Sequence, residues 1–265
     1  MARAAGIVVG ESAGVRTLHF GSRWIQGAMR LQRPWALELD YTRAMLVPLA
    51  LGPAAPWPAR ILIVGLGAGS FVRWFWRHRP LSRMTVVEID ARVVDVARLH
   101  FKLPNDEGRI AIRIGDAADV VPRLEPGYDL VLVDGFDALG RAGRLDHPAF
   151  YAACRAVMGA GPGGGVGPGR AGTRVDPGHS RGSGGPSFLA VNLLARTRGV
   201  APALSRLASA FGDEVKVLAP CASGNTVAIA GRGADWGSAP GRAAAADALK
   251  RETGLDLRSA VASLA

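Results

Sequence analysis

Short apolar runs and helix-like segments alternate along most of the 265-residue chain. The runs have the length and composition of buried strands, and the segments between them have helical spacing. We predict strands at 61–64, 84–88, 109–114, 130–133, 187–192, 214–219 and 224–230, and helices at 36–50, 70–78, 91–101, from 117, at 148–158, 200–211, 242–251 and 256–264. Strands that alternate with helices indicate an α/β fold with a Rossmann-like parallel sheet, which binds ligands at the carboxyl ends of its strands.

The first 35 residues follow a different pattern. Short β-like runs separated by glycine turn signals occupy 6–9, 15–20 and 23–29. This pattern indicates a small β-element that precedes the main sheet. We therefore divide the chain into an N-terminal β-element at 1–35, a Rossmann-like catalytic domain at 36–231 and a C-terminal helical tail at 232–265.

A glycine- and proline-rich segment interrupts this order at 159–186. Its 28 residues include twelve glycines and four prolines, without periodicity. Such a composition cannot bury enough apolar surface to offset the entropy lost on ordering. We interpret the segment as an insertion that is disordered, because removing it would leave an ordinary helix–turn–strand connection. A catalytic lid and out-of-frame coding are the alternatives.

Charge and composition narrow the function classes. The formal net charge of +10 would suit nucleic-acid binding. However, the arginines are scattered and form no run of like charge, so we expect no nucleic-acid partner. The longest apolar stretch, 44–58, is broken by prolines and is too short for a membrane span, and the N-terminus has no signal-peptide pattern. Two cysteines, Cys154 and Cys221, fit a reducing cytoplasm rather than a disulfide scaffold.

A glycine-rich turn follows the first strand of the predicted sheet. Gly65, Gly67 and Gly69 lie between the strand at 61–64 and the helix at 70–78. Glycines allow a tight turn and a close approach of the backbone to a ligand. Glu88 ends the next strand, 23 residues after Gly65, near the spacing of ~20 expected for a ribose-binding acid. This combination predicts a nucleoside-cofactor site.

Further acids end the following strands. Asp116 follows the strand at 109–114, where it could also cap a helix, and Asp134 follows the strand at 130–133. Asp134 and Asp137 could together bind a cationic amine, and one of them could accept its proton as a general base. Because aspartates often form turns and caps, the structural alternative stays open, above all for Asp137.

The chain resembles the spermidine synthases, the polyamine aminopropyltransferases, from about Val15 to Ala230 without the glycine-rich segment. The resemblance is carried, in this order, by WIQGAMR (24–30), LELDYTRAM (37–45), ILIVGLGAG (61–69), VVEID (86–90), GDAADVV (115–121), YDLVLVDGFDALG (128–140) and LDHPAFYAACR (145–155). It implies a seven-stranded methyltransferase-type sheet behind the β-element. It also implies decarboxylated S-adenosylmethionine as aminopropyl donor, a diamine such as putrescine as acceptor, and no metal.

The resemblance also assigns roles to residues of this chain. Asp134 corresponds to the base that deprotonates the acceptor amine, and Tyr41 and Asp137 to residues that place the diamine. The donor site is expected to comprise Gln26, Gly65, Gly67, Gly69, Glu88 for the ribose, Asp116 for the adenine amino group, and Ala117.

Several positions depart from the family pattern, mostly in the amine half of the motif. Ala68 stands where the family has an aspartate, and Asn192 where it has a glutamine. Prolines of the family are replaced at Ala138 and Arg141. An S-adenosylmethionine methyltransferase and a non-catalytic nucleoside-binding relative therefore remain alternatives. A nicotinamide dehydrogenase would need glycine at position 70, where the chain has Ser70. The sequence leaves open whether the chain forms a homodimer.

Overall fold

The computed structural model of the chain describes residues 6–21, 24–136, 140–159, 185–194 and 200–264. Its first three strands, β1, β2 and β3, span Ile7–Ser12, Val15–Phe20 and Gly27–Arg30. They form an antiparallel sheet in chain order. The predicted N-terminal β-element is therefore a three-stranded meander, although its third strand begins at Gly27 rather than at residue 23.

The main sheet has seven strands. Strands β4 to β10 span Arg60–Val64, Arg83–Glu88, Ile110–Ile114, Leu130–Val133, Ser187–Leu194, Val215–Val217 and Asn225–Arg232. Their order in space is β6–β5–β4–β7–β8–β10–β9, and β10 runs in the opposite direction to the other six strands, so the predicted parallel sheet has one reversed strand. This arrangement confirms the predicted fold class, an α/β Rossmann-like sheet of the seven-stranded methyltransferase type.

Helices cover the sheet and complete the C-terminal region. Helices α1 to α8 span Asp40–Ala44, Ser70–His78, Ala91–His100, Ala117–Val120, Pro148–Val157, Ala201–Phe211, Ala239–Thr253 and Arg258–Ala262, and short 3₁₀ turns occupy Val47–Ala50, Val121–Arg123 and Gly143–Leu145. Within the described ranges, no helix combines the length and apolar character needed to cross a membrane.

One predicted helix is wrong as a single element. The segment 36–50 forms only the five-residue helix α1 and a separate 3₁₀ turn at Val47–Ala50. Pro48 explains the end of α1 at Ala44, because a proline has no N–H to donate to the carbonyl four residues earlier and its ring crowds that carbonyl. Tyr41 lies in this short helix, and its hydroxyl reaches Asp134 at the end of β7.

Other differences concern element ends. Helix α7 begins at Ala239, earlier than the predicted start at 242, because Ser238 Oγ accepts a hydrogen bond from the Gly241 amide and caps the helix. Strand β10 continues to Arg232, beyond the predicted end at 230. Residues 160–184, nearly all of the predicted insertion, lie outside the described residues. The three-part division of the chain stays a prediction.

The two faces of the sheet bury different side chains of the same strands. In β4, Ile61 and Ile63 face one core cluster, which includes Trp74 and Phe75 of α2, whereas Leu62 and Val64 face the other. This alternation follows from the two-residue period of a strand. Each fully buried aliphatic side chain contributes roughly 1.5–3 kcal/mol. The central strands are therefore rigid supports for the loops at their carboxyl ends.

Register aligns these ends. Val64 at the end of β4 pairs with Val87 of β5 on one side and with Val133 of β7 on the other. The next backbone amides extend the ladders: Gly65 N donates to Val87 O and Asp134 N donates to Val64 O, both at 2.9 Å. As a consequence, three features lie side by side at the carboxyl edge of the sheet: the glycine turn, Glu88 and Asp134.

Candidate functional site

A cleft of about 1230 Å³ opens at this edge, between the main sheet and the N-terminal sheet. Most of the residues predicted for the site line it. They are Gln26, Tyr41, Gly65, Gly67, Glu88, Asp116, Ala117 and Asp134. Asp137 lies outside the described residues. The sheet topology has therefore brought together segments that are more than 100 residues apart in sequence.

The glycine turn needs glycine for two reasons. Gly65 and Gly67 have φ values of +90° and +50°, in the left-handed region. A Cβ at Gly65 would lie only 2.2 Å from the Asp134 carbonyl oxygen, and one at Gly67 would lie 3.1 Å from the Gln26 carbonyl oxygen. The glycine turn thus packs closely against the loop after β7 on one side and the segment before β3 on the other.

Gly69 does not line the cleft. It caps α2 with a φ of +72°, and a Cβ there would point into Leu103, 2.8 Å from its Cδ1. The left-handed φ and the close packing against Leu103 therefore explain why position 69 needs a glycine.

Glu88 is buried and faces the glycine turn. Its Oε2 accepts a hydrogen bond from the Leu66 amide at 2.8 Å, and its Oε1 accepts one from the Asp90 amide at 3.0 Å. Burial raises the pKa of Glu88 above its usual value, while these backbone donors act in the opposite direction. Each carboxylate oxygen can accept a further hydrogen bond, so Glu88 is suited to hold two ribose hydroxyls.

Asp116 performs two structural tasks. Its Oδ1 caps α4 by accepting a hydrogen bond from the Ala118 amide, and its Oδ2 accepts one from Arg144 Nη1, each at 2.8 Å. Arg144 also pairs with Asp119 of α4, so it joins the 3₁₀ turn at 143–145 to that helix. The sequence analysis did not identify Arg144, and no motif spacing would have revealed this pairing.

Asp134 is held by neutral donors. Its Oδ2 accepts a hydrogen bond from the Tyr41 hydroxyl at 3.1 Å, and its Oδ1 accepts one from Asn192 Nδ2 at 2.9 Å. Burial raises the pKa of the Asp134 carboxyl, and these two hydrogen bonds lower it to a lesser extent. Burial, followed by the charge of Asp134, raises the pKa of Tyr41 well above its usual value, so this hydroxyl remains a donor.

The charges around the cleft are unevenly neutralised. Among the described acids that line it, three form ion pairs with arginines: Asp90 with Arg92, Asp116 with Arg144, and Asp146 with Arg206. Within the same residues, Glu88 and Asp134 have no such ion pair. These two positions therefore attract cations or hydroxyl donors, and Asp134 can also accept a proton.

Ala68 is buried against the N-terminal sheet. Its side chain is 2% exposed, and a Cβ added at Gly27 of β3 would lie 2.6 Å from the Ala68 Cβ. The methyl group thus packs where the two sheets meet, together with Leu18, Met29 and Phe101. This packing explains why a small apolar residue is accommodated here.

Two groups that the sequence analysis passed over complete the Asp134 end of the cleft. The sequence identifies Asn192 only as a departure from the family pattern, and it gives no reason to single out Asn225. Both side chains are buried, and both line the cleft. In the part of the chain that the structure describes, no three His, Cys, Asp or Glu side chains lie close enough together to hold a metal ion.

Comparison with known proteins agrees with the resemblance seen in the motifs. Residues 41–161 match the family model of the spermine/spermidine synthase domain. The polyamine aminopropyltransferase of Neisseria meningitidis serogroup A is 35% identical over 150 residues, which cover 57% of this chain and 56% of that protein. The chain thus spans little more than half the length of this curated relative. These matches confirm the predicted family resemblance.

Solved structures show the same fold. A probable spermidine synthase from Corynebacterium glutamicum superposes with a TM-score of 0.66 and 21% identity, covering 93% of this chain and 82% of that one. Human methyltransferase-like protein 13, in complex with SAH, gives a TM-score of 0.62 and 20% identity, covering 81% and 92%. At these identities the likeness concerns the fold alone, which both kinds of transferase share.

Proposed function

We propose that this protein transfers an aminopropyl group from decarboxylated S-adenosylmethionine to an amine acceptor such as putrescine, which yields spermidine and methylthioadenosine. One observation carries the proposal. Asp134, whose carboxylate has no ion-pair partner among the described residues, lines the same cleft as the glycine turn, and its backbone packs against Gly65. The match of residues 41–161 to the spermine/spermidine synthase domain supports the same reaction class.

In this proposal the donor lies along the glycine turn. Glu88 binds the two ribose hydroxyls, and Asp116 and Ala117 contact the adenine. Gln26, which lines the cleft and whose carbonyl oxygen lies beside Gly67, contacts the remainder of the donor. The support for these assignments is that all of these residues line the cleft.

The acceptor amine then lies beside Asp134. An amine at neutral pH is protonated, and its ammonium group is attracted to this carboxylate. Asp134 accepts one proton, and the nitrogen lone pair attacks the methylene carbon next to the sulfonium. The carbon–sulfur bond breaks, its electron pair goes to sulfur, and methylthioadenosine leaves as a neutral thioether. Because the donor is already activated by its positive sulfur, positioning and one base are sufficient.

Tyr41 and Asp137 are proposed to place the acceptor. The Tyr41 hydroxyl fixes one oxygen of Asp134 and lies on the cleft wall, where it can also contact the amine. The position of Asp137, three residues after Asp134, would add a second carboxylate for the distal amine of a diamine.

Product analysis tests this function. The protein is incubated with decarboxylated or intact S-adenosylmethionine and with putrescine, cadaverine or spermidine, and the nucleoside products are separated by chromatography. We expect methylthioadenosine only when the decarboxylated donor and an amine are both present. S-adenosylhomocysteine from the intact donor would instead establish a methyltransferase. Nucleoside binding without either product would establish a non-catalytic relative.

A further inference from the structure

Asp134 is one end of a chain of buried amides. Asn192 donates from Nδ2 to Asp134 Oδ1 at 2.9 Å, and Asn225 donates from Nδ2 to Asn192 Oδ1 at 2.8 Å. The Asn192 and Asn225 side chains are 3% and 6% exposed. With so little of either side chain exposed, the Asn192 carbonyl oxygen depends on Asn225 for its hydrogen bond.

The direction of these hydrogen bonds follows from the carboxylate. An ionised carboxylate can only accept, so Asn192 must present its NH₂ group to Asp134. Its carbonyl oxygen then points away, towards Asn225, and needs a donor there. A flipped Asn192 would place a carbonyl oxygen against the carboxylate and repel it. Asn225 thus supplies the donor that makes the productive orientation of Asn192 the stable one.

Strand pairing explains how Asn225 reaches this position. Strands β8 and β10 are antiparallel, with Asn192 opposite Val227 and Leu194 opposite Asn225. Asn225 is two residues from Val227, so its side chain lies on the same face as Asn192, as a diagonal neighbour. The next residue, Thr226, is also buried, but strand alternation directs its side chain to the opposite face.

A second set of hydrogen bonds, which does not involve Asn192, holds the turn before Asn225. The Ser223 amide donates to Asp40 Oδ2 at 2.9 Å, and Asp40 Oδ1 accepts a hydrogen bond from the Tyr41 amide at 2.7 Å. Tyr41 in turn donates its hydroxyl to the second oxygen of Asp134. Both oxygens of the carboxylate are therefore held through contacts that lead to the same turn.

We propose that Asn225 is a positioning residue for Asp134: by holding Asn192 in one orientation, it fixes the carboxylate that acts as the base. This inference rests on the proposed function only for its catalytic consequence, because the hydrogen-bond chain itself is a property of the fold. Without Asn225, the oxygen of the buried Asn192 side chain loses the donor that fixes its orientation. Asn192 can then rotate, and Asp134 loses a hydrogen bond that favours its ionised form.

The test compares three variants with the wild-type protein. Asn225→Ala removes the donor, and Asn225→Asp keeps the shape but replaces the donor by an acceptor, so that Asn192 must turn its NH₂ group away from Asp134. Thr226→Val is the matched control, a buried polar residue of the same strand on the other face. For each protein, the rate constants for methylthioadenosine release, the donor affinity and the melting temperature are measured across a pH series.

We expect Asn225→Ala to lower kcat roughly tenfold, the effect of about one charge-assisted hydrogen bond. Asn225→Asp should lower it further. In both, the donor affinity should stay within about twofold of wild type, and the acidic limb of the rate profile should move to higher pH. Thr226→Val should leave kcat and the pH profile unchanged. Equal losses in Asn225→Ala and Thr226→Val, or an unmoved pH profile in all three, would overturn the proposal.

A second measurement separates this inference from the proposed function. Carbon-13 NMR of aspartate-labelled protein follows the titration of Asp134, whose signal is assigned by its loss in Asp134→Asn. We expect Asn225→Ala to raise the pKa of Asp134 and Thr226→Val to leave it unchanged. If wild type releases no methylthioadenosine but this shift is seen, the reaction assignment fails and the positioning role stands. If Asp134 titrates alike in all variants, the positioning role fails whatever the activity.

Discussion

The two halves of the cleft are built in different ways. The nucleoside half uses residues of three successive βα units, and its carboxylates are held mainly by backbone amides. The amides of Leu66 and Asp90 hold Glu88, and the Ala118 amide holds Asp116, to which Arg144 adds one side-chain hydrogen bond. The base half gathers side chains from four distant segments, and side-chain hydrogen bonds hold its carboxylate. Tyr41 and Asn192 donate to Asp134, and Asn225 donates to Asn192.

This difference determines how each half responds to substitution. Backbone amides remain after a side chain is replaced, so the nucleoside half depends on glycines and on the chain path. The base half depends on the identity of each side chain in turn. If this comparison is correct, donor binding and turnover can be lost separately, except where the two halves are in contact.

The two halves are in contact at Gly65, and its replacement should have the largest effect. In Gly65→Ala, a Cβ would lie 2.2 Å from the Asp134 carbonyl oxygen, at a φ of +90°. The backbone must shift, which displaces the nucleoside turn and the base together. We expect donor binding and methylthioadenosine release to fall below detection, with a lower melting temperature, as measured by calorimetry, chromatography and thermal unfolding.

Gly67→Ala is the matched control for this prediction. Its φ of +50° is one that other residues adopt at a cost of roughly 1–2 kcal/mol, and its Cβ would lie 3.1 Å from the Gln26 carbonyl oxygen. A milder loss, confined to donor binding, is expected. Should Gly65→Ala bind donor and turn over like Gly67→Ala, the two halves would not meet at Gly65.

Glu88→Gln should weaken the nucleoside half alone. The amide cannot accept from both Leu66 and Asp90, and it lacks the charge that binds two ribose hydroxyls, each such bond being worth roughly 1.5–3 kcal/mol. We expect at least tenfold weaker binding of methylthioadenosine in calorimetry. The lost backbone hydrogen bond and the removal of a buried charge have opposite effects on stability, so the melting temperature should change little.

The pH dependence sharpens this prediction. Burial raises the pKa of Glu88, and its ionised form is the one that accepts from the ribose. Nucleoside affinity of the wild-type protein should therefore fall as the pH decreases through that pKa, whereas Glu88→Gln should show no such step. Affinities that decline in parallel for both proteins would remove Glu88 from the site.

Much of the nucleoside half could be predicted from the sequence, because its residues follow one another at regular spacing. A strand, a glycine turn, a helix and an acid at the end of the next strand are visible without a structure. The apolar runs also predicted where the seven main-sheet strands lie along the chain, although not their order in space or the reversed direction of β10. The single helix predicted at 36–50 was wrong, because the prediction followed the apolar spacing and did not take into account that Pro48 interrupts the helical hydrogen bonds.

The base half could be predicted only in part. Asp134 was visible as an acid at a strand end, and Tyr41 entered through the family resemblance. Asn225 was not visible, because its place beside Asn192 depends on the register of β8 and β10, which are 33 positions apart at these two residues. Arg144 was missed for a similar reason, since its partners lie on another helix.

The smallest effect is expected from the glycine-rich segment. Ser187 Oγ donates to the Gly159 carbonyl oxygen at 3.0 Å, so the chain before and after the segment is already in contact. Replacing 160–184 with a short glycine-serine turn should leave kcat and donor affinity unchanged and stability equal or higher, because a shorter loop loses less entropy on closure. A folded variant that binds donor but has lost turnover would show that the segment takes part in the reaction.

Asp134→Asn tests the central claim most directly, when methylthioadenosine release and donor affinity are measured on the same sample. The amide can still accept from Asn192 and donate to Tyr41, but it cannot take a proton. The raised pKa of Asp134 means that its ionised form reduces stability as the pH rises through that pKa. The variant should therefore be at least as stable as wild type at neutral pH.

For this variant we predict turnover lower by roughly 10²–10⁴-fold with an amine that wild type accepts. Donor affinity should stay within about twofold of wild type, since the nucleoside half is intact. Turnover equal to that of wild type would contradict the assignment of Asp134 as the base. Donor affinity that falls together with turnover would contradict the separation of the two halves.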